Sequence, residues 1–151
     1  KRNAGGTNLV RAVVDAIRET GTERQILLSS FDHKLVADAR RTASDIERAV
    51  LMRPIDIGVP SKAALRVGAR TIVMSRRQLT TQRVTDARAK GLQVFVYTVD
   101  AERDVARCVR LGVDAIITNA PAATRRLVTA MRMQRNATVY FAAVVVLFSC
   151  L

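Results

Sequence analysis

The stretch GLQVFVYTVD, residues 91–100, shows the pattern on which the fold of this chain depends. A glycine opens it, an apolar and largely β-branched run follows from Val94 to Val99, and the polar residue Asp100 closes it. Apolar residues then recur at helical spacing until a second glycine, Gly112. A buried strand followed by an amphipathic helix accounts for this pattern, because strands of this kind are short apolar runs and helices bury one face.

The same unit recurs along the chain. Four further apolar runs precede or follow the first, and consecutive runs begin 21 to 24 residues apart; the predicted strands are residues 25–30, 49–53, 71–75, 94–99 and 115–118. Glycines that suit a left-handed helix end follow the helical stretches at Gly21, Gly68, Gly91 and Gly112. Ser61, Asp100 and Asn119 stand where helix N-caps are expected. The chain therefore repeats a strand–helix unit about every 22 residues.

Repeated strand–helix units build either an open doubly wound sheet or a closed (β/α)₈ barrel. The Gly-rich phosphate loop of a nucleotide-binding sheet does not occur in this sequence. Polar residues recur just past the predicted strands, where the rim of a barrel carries its active site; they are Ser30, Asp32, Arg53, Ser75, Arg76, Thr98, Asp100, Thr118 and Asn119. The predicted fold is α/β, a partial TIM (β/α)₈ barrel of about five units with parallel strands and outer helices.

Three strings carry a family resemblance: ILLSSFD at 26–32, GLQVFVYTVD at 91–100 and LGVDAIITNAP at 111–121. In order and spacing, across residues 8–128, they resemble the C-terminal half of glycerophosphodiester phosphodiesterases. The resemblance implies five C-terminal barrel units and hydrolysis of glycerophosphodiesters to an alcohol and glycerol 3-phosphate, with a divalent cation, Ca or Mg. The family's catalytic histidines and metal-binding acidic motifs lie in the N-terminal half and do not occur here. We therefore expect this fragment to hold no catalytic residue and no metal, and to be inactive alone.

The rim residues are the part of the site that the resemblance assigns to this chain. Ser30 and Phe31 match the family's Ser-Phe strand end, and Tyr97 takes the place of a Trp that walls the substrate pocket. Asp100 stands for the usual Asn and Asn119 for the usual Asp. This exchange resembles the related sphingomyelinase D-like phospholipases, although Asp and Asn also exchange freely as helix caps. The single histidine, His33, follows the first strand and receives no catalytic role.

Two alternatives to a phosphodiesterase remain open from the sequence. One is a sphingomyelinase D-like phospholipase, and the other is a non-catalytic module derived from a barrel, which binds a lipid headgroup or serves a structural role. The partner in each case is a glycerophosphodiester or a lipid headgroup. Nucleic acid is not expected, because the net charge of +12 is scattered along the chain and aromatic residues make up only 4% of it.

The last part of the sequence has a different composition. Residues 1–133 are the predicted barrel part, and residues 134–151 form a tail that is uncharged and almost wholly apolar from residue 137 onward. A truncated membrane anchor, an apolar segment lying on the domain and unrelated coding at a broken end all fit this composition. The tail predicts membrane contact through residues 137–151 only in the first case, so both a cytoplasmic and a membrane-associated location fit.

Overall fold

The computed structural model describes residues 4–133, and the predicted tail at 134–151 lies outside them. Helices and strands alternate from one end of this range to the other. The helices are α1 Ala4–Thr20, α2 His33–Thr42, α3 Pro60–Val67, α4 Thr81–Ala89, α5 Glu102–Leu111 and α6 Pro121–Met133. The strands are β1 Leu27–Ser30, β2 Glu47–Leu51, β3 Thr71–Ser75, β4 Gln93–Tyr97 and β5 Ala115–Ile116. A 3-10 turn, Glu23–Gln25, leads into β1.

The five strands form one parallel sheet whose spatial order, β1-β2-β3-β4-β5, is also their order in the chain. Each consecutive pair is joined by one helix, as parallel strands require. The predicted α/β fold with parallel strands and alternating helices is confirmed. β2 begins two residues earlier than predicted because Glu47 and Arg48 pair with β1, and β5 contains only two residues.

The sheet has one face against the helices and one inner face. Val50, Ile72 and Val94 are aligned by the strand register, are fully buried, and pack against the helices. The neighbouring row on the opposite face is also apolar and consists of Leu51, Val73, Phe95 and Ala115. Because side chains alternate between the faces of a strand, burial on both faces explains why the strands are nearly continuous apolar runs.

The helix C-termini follow the sequence pattern, whereas the three predicted N-caps, Ser61, Asp100 and Asn119, do not cap a helix. Gly112 ends α5 with φ +66°, and its N–H bonds to the carbonyls of Cys108 and Val109. Ser61 is not a cap: α3 begins at Pro60, and Ser61 is buried and donates to Asp86 of α4. Its hydroxyl is used between helices, which the sequence pattern alone does not show.

Two features of this architecture bear on the site. Within residues 4–133, β1 and β5 each pair with one neighbour, whereas every strand of a closed barrel has two. A groove of about 570 Å³ runs along β1 between α1 and α2, lined mainly by apolar side chains that include Leu9, Val10, Leu27 and Leu35.

In the described range, every helix falls short of the length and apolarity that crossing a bilayer requires.

Candidate substrate-binding rim

The carboxyl ends of the strands bring most of the predicted rim residues to one side of the sheet. Ser30 ends β1 and Phe31 follows it, Tyr97 ends β4, and Asp100 and Asn119 lie in the segments after β4 and β5. In a βα barrel this side carries the active site, because the loops that follow the strands converge there. The structure divides these residues into two groups, one aromatic and one polar.

The aromatic group consists of Phe31 and Tyr97. Their ring centroids are 6.3 Å apart and their planes meet at 75°, an edge-to-face arrangement that aromatic pairs favour. Phe31 directly follows β1 and Tyr97 ends β4, so two strands lie between them. Since neighbouring strands are spaced by about 4.8 Å, this contact spans the ends of β2 and β3.

Tyr97 is anchored as well as packed. Its hydroxyl donates to the carbonyl of Met52, at 2.6 Å, which joins the end of β4 to the segment after β2. Burial raises the pKa of the Tyr97 phenol, and the nearby Asp56 carboxylate raises it further. Tyr97 is therefore a neutral hydrogen-bond donor whose ring is held in place. This agrees with the prediction that its ring forms part of the wall of a binding site.

Arg53, which the sequence placed among the polar residues at the strand ends, joins the aromatic group. Its guanidinium lies 5.7 Å from the centroid of the Phe31 ring, and its backbone N–H donates to Asp56 at 2.7 Å. Arg53 lies two residues beyond Leu51, an inner-face residue at the end of β2, so the strand alternation, if continued, predicts Arg53 on that side. The contact with Phe31 could not be read from the sequence, because 22 positions separate the two residues.

The polar group is formed by Asp100, Thr118 and Asn119. One carboxylate oxygen of Asp100 accepts from the Thr118 hydroxyl and the Asn119 backbone N–H, and the other accepts from the Asn119 side-chain amide. These hydrogen bonds, that from the Asn119 backbone first, lower the pKa of Asp100. The hydrogen bonds of Asp100 to Thr118 and Asn119 therefore tie the segment after β4 to the segment after β5.

Neither Asp100 nor Asn119 is a helix cap. Ala101 occupies the N-cap of α5, and α6 begins at Pro121, so the expectation that Asp100 and Asn119 cap these helices is wrong. Their side chains instead bond to each other across neighbouring strand ends. Ser30 also has a local partner: its hydroxyl oxygen accepts from the backbone N–H of Asp32, which fixes the turn into α2. Ser30 therefore holds the backbone of the rim in place where β1 turns into α2.

His33 is held in a structural contact. Its Nε2 donates to the carbonyl of Leu51 at 2.9 Å, since a carbonyl oxygen can only accept. The sequence contains no other histidine. A mechanism in which two histidines share the work of general acid and base therefore has no counterpart among the residues of this chain.

The residues of the rim do not fit a metal centre. Calcium and magnesium take several oxygen ligands, usually from more than one carboxylate. Between residues 4 and 133 no three His, Cys, Asp or Glu side chains are grouped closely enough to hold a metal ion. Asp56 and Asp100 already accept hydrogen bonds from the protein, so no catalytic step is assigned to a metal on this chain.

A run of parallel βα units, with aromatic and polar side chains at the carboxyl ends of its strands, defines the class: a segment of a (β/α)₈ barrel. The family is given by a family model, glycerophosphoryl diester phosphodiesterase, that matches residues 2–123. The chain belongs to this family, as the three sequence motifs predicted.

Individual relatives agree. The glycerophosphodiester phosphodiesterase of Caldanaerobacter subterraneus subsp. tengcongensis is 28% identical over 109 residues, 72% of this chain and 44% of that protein. A protein of Silicibacter pomeroyi that carries the family name superposes with a TM-score of 0.80 at 26% identity, over 87% of this chain and 47% of that one. The chain therefore spans about half the length of these relatives.

A third comparison concerns the fold alone. A phosphodiesterase from Oleispira antarctica, solved in complex with the product sn-glycerol-3-phosphate, superposes with a TM-score of 0.74 at 18% identity. The match covers 82% of this chain and 50% of that protein. The family's structures are TIM barrels, which agrees with the fold predicted here. The roles of Ser30, Phe31, Tyr97, Asp100 and Asn119 in binding stay predictions.

Proposed function

We propose that this chain takes part in hydrolysing glycerophosphodiesters to an alcohol and glycerol 3-phosphate, and that its share of the work is to bind the substrate. The observation that carries the proposal is the convergence of Phe31, Tyr97 and Arg53 at the carboxyl ends of the strands. An aromatic wall beside a cation suits a substrate that combines a carbon backbone with a phosphate. The Oleispira antarctica structure, with glycerol 3-phosphate bound to the same fold, supports this substrate class.

The chemistry itself requires groups beyond those of this chain. Cleavage of a phosphodiester needs an acid and a base poised near neutral pH and, in this family, a divalent cation. The chain has one histidine, and that histidine is bonded to a backbone carbonyl. We therefore expect the 151-residue chain to show no turnover alone and to bind Ca or Mg weakly.

A fusion protein tests both statements. The part of the Caldanaerobacter enzyme that precedes its 109-residue match is joined to residues 1–133, and release of glycerol 3-phosphate from sn-glycero-3-phosphocholine is followed with added Mg or Ca. The chain alone should release none and the fusion should release it. Turnover by the chain alone would contradict the division of labour, and a folded but inactive fusion would contradict the proposed function.

A second function is favoured by the hydrogen bond of His33 to the Leu51 carbonyl, which gives this histidine a structural role. In this case the rim binds a lipid headgroup without catalysis. The same fusion separates the two, because a binding module would retain sn-glycero-3-phosphocholine unchanged. Sphingomyelin serves as a second substrate, since its cleavage would favour the sphingomyelinase D-like function suggested by Asp100 and Asn119. Membrane contact through residues 137–151, and a cytoplasmic or membrane-associated location, stay predictions.

A further inference from the structure

Arg53 is an exposed, charged side chain just past the end of β2, where its guanidinium lies beside the Phe31 ring. It follows Leu51 at the strand spacing of two and lines the groove along β1 together with Leu27 and Phe31. Because the rim at the carboxyl ends of the strands is where a barrel binds its ligand, an exposed arginine beside this groove is placed to meet a ligand.

A structural partner for the guanidinium is not found within residues 4–133. Arg53 makes no ion pair there, and its protein hydrogen bonds are made by its backbone alone: its N–H donates to the Asp56 carboxylate, and its carbonyl accepts from the Asp56 N–H. The guanidinium instead lies against Phe31. Its five N–H donors remain available for a ligand on the side away from the ring.

The Phe31 ring beneath this guanidinium and the backbone of Arg53 are held by a closed set of contacts. Arg53 lies over Phe31, Phe31 meets Tyr97 edge to face, and Tyr97 donates to the carbonyl of Met52, the residue that precedes Arg53. The backbone of Arg53 is held in addition by Asp56. An arginine supported in this way loses less side-chain entropy on binding than a free surface arginine.

Two carboxylates near the rim act against anion binding, and both are already bonded to backbone donors. Asp56 accepts from the N–H of Arg53, and Asp32 accepts from the N–H of Lys34 as the cap of α2. Neither reaches the Arg53 guanidinium within ion-pair distance. The donors of Arg53 are therefore not consumed by these acids.

We propose that Arg53 binds the phosphate of the ligand through its guanidinium, with the Phe31 and Tyr97 rings fixing its direction. The planar guanidinium matches two phosphate oxygens at once, which an ammonium group cannot do. The ligand class is a small phosphate ester with a short polyol, for which sn-glycerol 3-phosphate is the probe. The proposal rests on the proposed function for its substrate class, although binding can be measured without turnover.

Titration of the full chain with sn-glycerol 3-phosphate tests the proposal, by NMR or calorimetry at low ionic strength where charge interactions are not screened. Arg53→Gln should weaken binding by about tenfold or more, since a charge-assisted bidentate contact is lost. Arg53→Lys should recover part of it. Arg66→Gln, which removes the same charge from an exposed position on α3, should leave the affinity within about twofold of wild type, as expected for exposed charges away from the ligand.

The outcomes separate this proposal from the proposed function. Equal affinities for Arg53→Gln and Arg66→Gln, or no binding by the wild-type chain, would overturn the role of Arg53. Equal binding of glycerol and glycerol 3-phosphate would overturn it too, because the phosphate would then contribute nothing. If glycerol 3-phosphate binds through Arg53 but the fusion does not hydrolyse its substrate, the role of Arg53 stands and the hydrolytic function fails. Circular dichroism confirms that each variant is folded.

Discussion

Replacing Tyr97 is the most direct test of how the rim is held together. The side chain makes two separate contacts, a hydrogen bond from its hydroxyl to the Met52 carbonyl and an edge-to-face contact with Phe31. Tyr97→Phe removes the first and retains the second, whereas Tyr97→Leu removes both. The two variants therefore divide the contribution of one residue into a polar and an aromatic part.

The expected sizes follow from the geometry. A net intramolecular hydrogen bond contributes about 1 kcal/mol, so Tyr97→Phe should lower the free energy of unfolding by about that amount. The aromatic pair adds about 0.5–1.5 kcal/mol, and Tyr97→Leu should cost about 2 kcal/mol in total. For a chain of this length, about 2–4 °C of Tm corresponds to 1 kcal/mol. The Tm should therefore fall by about 3 °C in Tyr97→Phe and by about 6 °C in Tyr97→Leu.

Thermal and urea unfolding followed by circular dichroism measure both values. A double-mutant cycle with Phe31→Leu isolates the ring contact and should give a coupling of about 0.5–1.5 kcal/mol. A coupling near zero would show that the two rings do not stabilise each other. An unchanged Tm in Tyr97→Phe would refute the anchoring role of the hydroxyl.

Tyr97→Phe should also change how the stability of the protein depends on pH. The pKa of Tyr97 is raised in the folded protein, first by burial and then by Asp56. A raised pKa gives stability that is complete below the unfolded pKa, near 10, and is lost as the pH rises through the folded value. Wild type should therefore lose stability above about pH 10 more steeply than Tyr97→Phe. Parallel curves for the two proteins would contradict the raised pKa.

Three further predictions concern other parts of the structure. Gly112→Ala and Gly91→Ala should each cost about 1–2 kcal/mol, because both glycines have a left-handed backbone, with φ +66° and +67°; the Arg88 guanidinium that a Cβ at Gly112 would meet is the end of a flexible side chain and can move aside, and an unchanged stability of either variant in urea unfolding would refute the backbone strain. Burial raises the pKa of the Cys108 thiol to about 11, so mass spectrometry should find the Cys108 peptide unalkylated by iodoacetamide at pH 8 in the native protein and alkylated in urea. The lowered pKa of Asp100 gives stability that is present above the unfolded pKa, near 4, and lost as the pH falls through the folded value; Asp100→Asn should be less stable than wild type at pH 7, and the difference should shrink in acid unfolding titrations.

The fold could be predicted because its signals are local. The apolar runs mark the strands within about two residues, as at β3, where the predicted and observed ranges agree. Gly68 and Gly112 mark helix ends because the left-handed backbone there strains any residue with a Cβ. The strand–helix period then left only two architectures, and the polar strand ends favoured the barrel.

The arrangement of the site could be predicted only in part, because its contacts join distant positions. Tyr97 was identified as a rim residue, but its hydrogen bond crosses 45 positions to Met52. Asp100 and Asn119 were expected to cap helices, since a cap is the partner that lies nearest in the chain. Instead they bond to each other across two strand ends, a choice set by how the sheet brings β4 and β5 together.

The identity between chain order and strand order has a consequence for synthesis. Each strand of the described sheet pairs with the strand that follows it in the chain, so a strand meets its next partner once about 22 more residues have left the ribosome. Domains are made from the N-terminus at about 5–20 residues per second, so one unit needs only a few seconds of translation. The sheet can therefore grow by one strand at a time while the chain is still being made.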